Sequence, residues 1–157
     1  MDWKVPDWQR EVPQKFWDPS RKLLASIRAH QRYNKETNLY IKLLCKVCVL
    51  RHRFWSAVCG ADIPINSNLG GGLLMPHPNG IVIHQNAIVG ANCLILQQVT
   101  LTSDVKLGFH VDVGAGAKIL GPLSIGNNVK IGANAVVISD VSDDDTQVGI
   151  PSRSTRK

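Results

Sequence analysis

Residues 83–137 read IHQNAIVGANCLILQQVTLTSDVKLGFHVDVGAGAKILGPLSIGNNVKIGANAVV, and a repeat of six residues runs through the whole stretch. A large aliphatic residue recurs at every sixth position from the first to the last. These residues are Ile83, Val89, Ile95, Leu101, Leu107, Val113, Ile119, Ile125, Ile131 and Val137. A second position, four residues after each of them, is small or apolar throughout, from Ala87 to Val141. Such a period fits neither an amphipathic helix, whose period is about 3.6, nor a strand that alternates between two faces.

The repeat predicts short strands separated by corners, three to each triangular coil, that stack into a left-handed parallel β-helix. The strands of a β-sandwich do not keep one phase over such a length. Five of the large aliphatic residues are followed directly by glycine, and we expect these glycines to form corners with unusual backbone angles. They are Gly90, Gly108, Gly114, Gly126 and Gly132. We therefore expect a mainly β protein, with the β-helix over residues 61–151 and a basic C-terminal tail over residues 152–157.

Residues 1–60 lack the repeat and show two helical patterns after an irregular arm. Asp18 and Pro19 offer an N-cap followed by proline, which predicts a first helix from Pro19 to about Tyr33. A second apolar periodicity predicts a helix from about Glu36 until Gly60 can stop it. Its apolar positions are Leu39, Leu43, Val47, Leu50 and Phe54. We expect this face to pack against the β-helix, although a cationic amphipathic helix would also suit peripheral contact with a membrane.

The composition argues against several classes of protein. The formal net charge is +6, but the cations form no run interleaved with aromatic residues, so we expect no nucleic-acid partner. No stretch long enough to cross a bilayer is free of charge, and the N-terminus lacks the apolar core of a secretory signal, so we expect a cytoplasmic protein. The four cysteines match neither a disulfide framework nor a zinc motif and are expected in the core. They are Cys45, Cys48, Cys59 and Cys93.

One interruption of the repeat marks a candidate for catalysis. Four upstream residues keep the step of six but lie two positions out of phase with Ile83. They are Ile63, Leu69, Met75 and Ile81. The interruption is the segment PHPNG over residues 76–80, in which His77 stands between two prolines. Such a turn should present the imidazole stiffly at a surface or cleft, where a group that exchanges protons near neutral pH suits general-base catalysis.

Three segments carry a resemblance to a known family. They are GADIPINSNLGGGLLMPHPNGIVIHQNAIVGANCLILQQVTLT over 60–102, VGAGAKILGPLSIGNNVKIGANAVVISDV over 113–141 and VGIPSR over 148–153. The chain is similar here to serine acetyltransferases and their polysaccharide-cluster relatives. The resemblance covers residues 59–154, and the stretches GAGAKILG and NGIVI are its most specific parts. It leaves the first 58 residues uncovered.

The resemblance implies transfer of an acetyl group from acetyl-CoA to a hydroxyl, without a metal, in a homotrimer whose active sites lie between neighbouring β-helices. It assigns His77 as the catalytic base and Asp62 as the acid that orients it, a pairing that fixes the imidazole tautomer. It also assigns a CoA site along one edge of the later coils. The matching residues are Ala115, Lys130, Ala133, Pro151 and Arg153. We expect the Trp-rich arm over residues 1–18 to pack on the rest of the trimer.

Two departures from serine acetyltransferases fall at the acceptor site. Pro76 replaces the acidic residue that precedes the catalytic histidine in that family. A glycine-rich loop is shortened, and Asp104 stands roughly where the family has a second histidine. Both changes should weaken recognition of the charged groups of serine, so we favour a sugar or polysaccharide-precursor acceptor, with serine as the alternative. Asn79, His84 and Asp104 are the candidate substrate-binding residues.

Two other classes of function stay open. The fold also carries zinc enzymes whose metal is bound by three histidines, for which His77, His84 and His110 are the candidates here. The β-helix could instead be a trimeric scaffold without catalysis. A scaffold has no use for the His77 turn or for Asp62, so we favour the enzyme.

Overall fold

The computed structural model describes residues 4–33 and 38–155. A short 3₁₀ helix at Trp8–Glu11 precedes the helices α1 (Pro19–Tyr33) and α2 (Leu39–Cys59). Thirteen short strands follow. They are β1 (Asn68–Leu69), β2 (Val82–Ile83), β3 (Ile88–Val89), β4 (Leu94–Ile95), β5 (Thr100–Leu101), β6 (Val105–Leu107), β7 (Asp112–Val113), β8 (Lys118–Ile119), β9 (Leu123–Ile125), β10 (Lys130–Ile131), β11 (Val136–Val137), β12 (Thr146–Val148) and β13 (Arg153–Ser154).

The strands form three sheets that wrap around one core. The orders are β1-β3-β6-β9, β2-β5-β8-β11 and β4-β7-β10-β12-β13, and all pairs are parallel except β12 with β13. From β1 to β12, consecutive strands of the chain fall in different sheets, so a full coil contributes one strand to each face, whereas β12 and β13 form a hairpin in one sheet. The predicted mainly β fold, a parallel β-helix behind a helical N-terminal segment, is confirmed.

The repeat residues fill the interior of the β-helix. None of the ten large aliphatic residues is more than 3% exposed, and none of the ten residues at the second position is more than 6% exposed. Burying one Val, Leu or Ile side chain stabilises a fold by about 1.5–3 kcal/mol. The repeat therefore supplies the main apolar core, to which α1 adds Leu23, Leu24 and Ile27.

The corners use residues other than the glycines that follow the aliphatic positions. Left-handed backbone angles, with φ near +60°, fall two positions later, as at Asn92 and Asn134. Gly90 does not adopt a positive φ, but a Cβ there would lie 2.2 Å from the carbonyl oxygen of Gly108 in the next coil. The expectation that these glycines form the corners was wrong. At the first four of these glycines a Cβ would come within 2.7 Å of the next coil, so a side chain does not fit, whereas at Gly132 the nearest atom is a side-chain carbon of Val148 at 3.0 Å. Asn tolerates the left-handed corner.

The register locates two slips in the repeat. Most strands pair with the strand eighteen positions further on, as Val82 does with Thr100. Asp62 instead pairs with Val82, twenty positions on, which confirms the two-residue insertion around His77. A second slip lies near the C-terminus, where Lys130 pairs with Thr146, sixteen positions on. Sequence analysis missed this slip, although the next step of six after Val137 falls on the polar Asp143.

The N-terminal arm packs on its own chain. Glu11, which is 8% exposed, forms an ion pair with Arg28 of α1 at 2.8 Å and accepts a hydrogen bond from the amide of Leu73 at 3.1 Å. Arg28 also donates to the carbonyls of Leu69 and Gly70, both at 2.7 Å. The arm is thereby fixed to α1 and the first coil of its own chain, and its packing within a trimer stays a prediction.

The helix boundaries agree with the sequence in part. Helix α1 begins and ends at the predicted residues. Helix α2 begins at Leu39 with Asn38 as its N-cap and ends at Cys59, with Gly60 (φ 61°) as its C-cap. The predicted start at Glu36 lies outside the described residues. No helix in the described part of the chain is long and apolar enough to span a bilayer.

The predicted packing face of α2 was wrong. Leu43, Val47, Leu50 and Phe54 are all exposed, and the side chain of Leu39 lies outside the described part of the structure. The opposite face of the helix is buried instead, through Cys48, Trp55 and Cys59. These three residues are also apolar, so the helix has two apolar faces and the sequence pattern singled out the wrong one.

Candidate active site

The His77 turn is held by backbone hydrogen bonds to the coils on either side. The amide of Gly80 donates to the carbonyl of Gly60 at 2.7 Å, and the amide of Gln98 donates to the carbonyl of Asn79 at 2.9 Å. The amide of Ile81 closes the turn by donating to the carbonyl of Pro78 at 3.1 Å. The imidazole of His77 is exposed above this anchored backbone. A fixed backbone with an accessible side chain is suited to presenting a base to a substrate.

His77 opens onto a depression of about 550 Å³ between the β-helix and the N-terminal segment. Its walls come from the arm, both helices and the PHPNG turn. The lining residues are Gln14, Lys15, Trp17, Asp18, Pro19, Ser20, Arg21, Val58, Cys59, Pro76, His77, Pro78 and Asn79. Sequence analysis missed the contribution of the arm, because nothing in the local pattern of residues 14–18 indicates that they approach the first coil. Asp18 was predicted only as a helix cap.

Asp18 supplies the negative charge of this depression. Burial raises the pKa of its carboxyl, but hydrogen bonds from the amide of Gln14 and from Arg21 outweigh that effect and leave the pKa below its ordinary value. The Arg21 guanidinium lies 3.1 Å from the carboxylate. Asp18 is therefore ionised at neutral pH, and its charge is held close to Arg21 at the wall opposite the PHPNG turn.

The thiol of Cys59 in the same depression is unsuited to nucleophilic catalysis. Burial, assisted by the charge of Asp18, raises its pKa to about 11. The nucleophilic form of cysteine is the thiolate, which such a pKa makes rare at neutral pH. Cys59 is therefore not a candidate for a covalent intermediate.

Asp62 lies on the neighbouring coil corner and faces a different depression. Its amide donates to the carbonyl of Ile81 at 2.8 Å, and its carbonyl accepts from Ile83 at 2.9 Å. Its exposed side chain lines a groove of about 320 Å³ together with His84, Thr102 and Ser103. The hydrogen bond between Gly80 and Gly60 joins the backbone segments that carry His77 and Asp62. Among the described residues, no hydrogen bond links the side chains of His77 and Asp62.

Two of the candidate substrate residues, Asn79 and His84, line different depressions, and the third, Asp104, lines neither of them. Asn79 lies beside His77. His84 accepts a hydrogen bond from the amide of Asn86 at 3.2 Å, and the Asn86 side chain lies 3.4 Å from the hydroxyl of Ser103. That hydroxyl in turn donates to Asp104 at 2.6 Å. Asp104 is therefore connected to His84 through Ser103 and Asn86, the last link being the backbone amide of Asn86, and of these four residues His84 and Ser103 line the groove of Asp62.

The five candidate CoA residues cluster at one corner of the last coils. Ala115 and Ala133 stack in successive coils, since the amide of Asn134 donates to the carbonyl of Ala115 at 2.8 Å. Lys130 precedes this corner on β10, which pairs with β12. Arg153 follows on β13, opposite Val148, and Pro151 lies in the turn between these strands. The five residues thus lie on the later coils and the terminal hairpin, and Lys130 and Arg153 are exposed.

A buried polar cluster fixes the terminal hairpin that carries Arg153. Asp145, which is 7% exposed, accepts hydrogen bonds from the hydroxyl of Ser154 at 2.6 Å and from the side chain of Gln147 at 2.9 Å. Residues 153–154, which the sequence placed in a basic tail, therefore form an ordered strand at the end of the β-helix.

Within one chain, His77, His84 and His110 of the zinc hypothesis do not form a donor set among the described residues. Within residues 4–33 and 38–155, no group of three or more His, Cys, Asp or Glu side chains is placed to hold a metal ion. His110 lies 2.9 Å from the side chain of Asn128, and His84 accepts from Asn86.

Comparison with known proteins gives the relationship of the chain. No family model matches it. The serine acetyltransferase of Synechococcus elongatus is 41% identical over 133 residues, which make up 80% of this chain and 52% of that protein. The crystal structure of Neisseria gonorrhoeae serine acetyltransferase in complex with serine has a TM-score of 0.68 at 35% identity, over 86% of this chain and 57% of that one. A serine acetyltransferase in complex with CoA has a TM-score of 0.76 at 28% identity, over 98% and 68% of the two chains.

The six-residue repeat and these matches make the chain similar to the hexapeptide-repeat acyltransferases. The relatives that it matches within that class are serine acetyltransferases, to which it is homologous. It spans about half the length of the Synechococcus protein, at 52%.

Proposed function

We propose that this protein is an O-acetyltransferase that uses acetyl-CoA, with His77 as general base. The observation that carries the proposal is the PHPNG turn. It holds an exposed imidazole over a depression of about 550 Å³ at the one point where the β-helix gains two residues. The homologous serine acetyltransferases, one of them solved with CoA, support the same chemistry.

In the proposed reaction, the neutral imidazole of His77 takes the proton of the acceptor hydroxyl as its oxygen attacks the thioester carbonyl. The tetrahedral intermediate collapses when the C–S bond breaks, and the CoA sulfur leaves with the proton that His77 returns. Asp62 stabilises the imidazolium and fixes its tautomer in this scheme. Acetyl-CoA is bound along the corner of Ala115 and Ala133, with Lys130 and Arg153 toward its phosphates and Pro151 beside them.

The proposed active unit is a homotrimer in the cytoplasm, where the acetyl-CoA donor is available. Each of the two depressions is open on one chain, and the candidate CoA corner lies on later coils than His77. A site shared between neighbouring β-helices would join the CoA corner of one subunit to the His77 depression of another. Light scattering of the purified protein measures this assembly directly, and a monomer with full activity would contradict it.

The comparisons support serine as the acceptor better than the sugar that the sequence led us to favour. The relatives are named serine acetyltransferases, and one structure holds serine. A sugar or polysaccharide precursor is the second candidate because of two residues, Pro76 and Asp104. Pro76 carries no charge beside His77, and Asp104 would repel the carboxylate of serine rather than bind it.

Acetyl transfer to L-serine and to a panel of sugar nucleotides, followed by release of the CoA thiol, decides between the two acceptors. Turnover of serine with a KM below about 1 mM supports the serine acetyltransferase assignment. Turnover of one sugar nucleotide with serine inactive supports the second candidate. Absence of CoA binding by calorimetry would overturn the acetyltransferase proposal as a whole.

A further inference from the structure

Helix α2 carries an apolar stripe on its outer face that the rest of the described chain leaves exposed. Its six large apolar residues are between 40% and 69% exposed. They are Tyr40, Leu43, Val47, Leu50, Phe54 and Val58. Spacings of three and four residues place them on one side of the helix, over a length of about 27 Å. The opposite side already contacts the protein through Cys48, Trp55 and Cys59, so folding of the single chain leaves this stripe uncovered.

The stripe is bordered by cations. Lys42, Lys46 and Arg53 lie along one edge, Arg51 lies along the other, and all four are exposed. Helix α2 contains no Asp or Glu between Leu39 and Cys59. Its outer face is therefore both apolar and positively charged.

Aromatic residues of the arm extend the stripe at its C-terminal end. Phe16 is 90% exposed and Trp17 is 59% exposed. The ring of Trp17 lies 5.5 Å from that of Trp55, which also contacts Phe54 at 4.9 Å. The ammonium of Lys22 lies 4.8 Å from the ring of Phe16. Large rings beside cations thus continue the surface beyond the helix.

We infer that this surface, residues 40–58 of α2 together with Phe16 and Trp17, docks onto an anionic lipid bilayer. A helix that lies in a membrane interface buries its apolar face at the acyl boundary and keeps its cations near the headgroups. Aromatic rings concentrate at the same depth, and anionic lipids attract each nearby Lys or Arg. A second copy of the chain fits less well, because two such faces would bring four cations of each helix together without a single acid between them.

Docking would place the candidate active site at the lipid surface. Trp17 belongs to the docking surface and Val58 ends its stripe, and both also line the depression of His77. The surface itself is independent of the identity of the acceptor, so it can be tested without the catalytic assay.

Sedimentation of the full-length protein with vesicles tests the inference. One set of vesicles contains phosphatidylcholine alone, and the other contains phosphatidylcholine and phosphatidylglycerol in a ratio of about two to one. We expect the protein to sediment with the anionic vesicles, to remain in solution with the neutral ones, and to be released as the salt concentration rises. Failure to sediment with the anionic vesicles at low salt would overturn the inference.

Two pairs of substitutions separate the apolar and charged contributions. Leu43→Glu with Leu50→Glu, and independently Lys42→Glu with Lys46→Glu, should each weaken binding to anionic vesicles at least about tenfold. Ile138→Glu and Lys106→Glu are the matched controls, since both residues are exposed on the β-helix and should leave binding unchanged. Circular dichroism verifies that each variant is folded, and the lysine pair retains the test if the leucine pair does not fold. Equal binding by variants and controls would refute the assigned surface. The inference would also be refuted if the wild-type protein did not bind vesicles and the leucine variant had a smaller mass than the wild type in the ultracentrifuge. That result would mean that another copy of the chain covers the stripe.

Discussion

The ion pair between Glu11 and Arg28 offers a stringent test of how the arm is attached. Glu11 is 8% exposed and Arg28 is 19% exposed at their side chains, and the guanidinium contacts both carboxylate oxygens, at 2.8 and 2.9 Å. Replacing Glu11 with Ala leaves the charge of Arg28 without its counter-ion. It also leaves the buried amide of Leu73 without an acceptor.

The expected loss follows from these contacts. Breaking a buried ion pair from one side costs about 3–5 kcal/mol. The unpaired amide of Leu73 accounts for about 1–3 kcal/mol of that loss. Glu11→Gln retains an oxygen for this amide and should be milder than Glu11→Ala. The double variant Glu11→Gln with Arg28→Met removes both charges, so it should cost less than the sum of its single variants.

Urea unfolding followed by far-UV circular dichroism measures these differences. Lys106→Met, an exposed substitution on the β-helix, is the control and should stay within about 0.5 kcal/mol of the wild type. A loss below about 1 kcal/mol for Glu11→Ala would show that the ion pair behaves as a surface pair and does not fix the arm. Strict additivity of the double variant would contradict the direct coupling of the two side chains.

Three further predictions concern the coils, the pH dependence and the CoA corner. Gly90→Ala should destabilise the protein by about 2 kcal/mol or more in urea unfolding, because its Cβ would lie 2.2 Å from the Gly108 carbonyl oxygen. Gly149→Ala is the comparison: its Cβ would meet no atom closer than 3.6 Å, so that variant tests the strain of a positive φ alone. Burial lowers the pKa of His52, and the charge of His30 lowers it further. The hydrogen bond to the Ile63 carbonyl raises this pKa but does not cancel the other two effects, so the folded state favours the neutral imidazole. The stability that this group contributes is present above the unfolded-state pKa of 6.5 and is lost as the pH falls through the lower folded-state value; a His52→Gln variant with an unchanged pH profile of unfolding would refute this. Arg153→Ala should raise the KM for acetyl-CoA about tenfold with little change in kcat, since it removes one phosphate contact, and Lys106→Ala should change neither constant.

The repeat made the β-helix predictable because the same interior positions recur in every coil. Ile83 and Val137 occupy equivalent environments, so one pattern describes the whole core. The sequence alone does not show why position 90 is glycine, because two different reasons predict glycine in this part of the repeat. One is the close approach of successive coils, and the other is a corner with left-handed backbone angles. Only the stacking of Gly90 on Gly108 distinguishes them.

The parts that sequence reasoning missed depend on contacts between distant residues. Glu11 meets Leu73, and the arm reaches the His77 depression, but neither contact leaves a local pattern. For α2, both faces are apolar, and the buried one carries Cys48 and Trp55 rather than the longer aliphatic run. The PHPNG turn was found because an insertion in a regular repeat is visible without structure. The partner of His77, by contrast, stays a prediction, since Asp62 faces the neighbouring groove.

The most direct test of the proposed function compares the wild type with His77→Ala in an assay for CoA release from acetyl-CoA with L-serine and with sugar nucleotides. We expect the substitution to reduce kcat at least about a hundredfold, as removal of a general base does, while the assembly and CoA affinity remain unchanged. Because His77 is exposed, the variant should fold like the wild type. Acetyl transfer at the wild-type rate by His77→Ala would contradict the account.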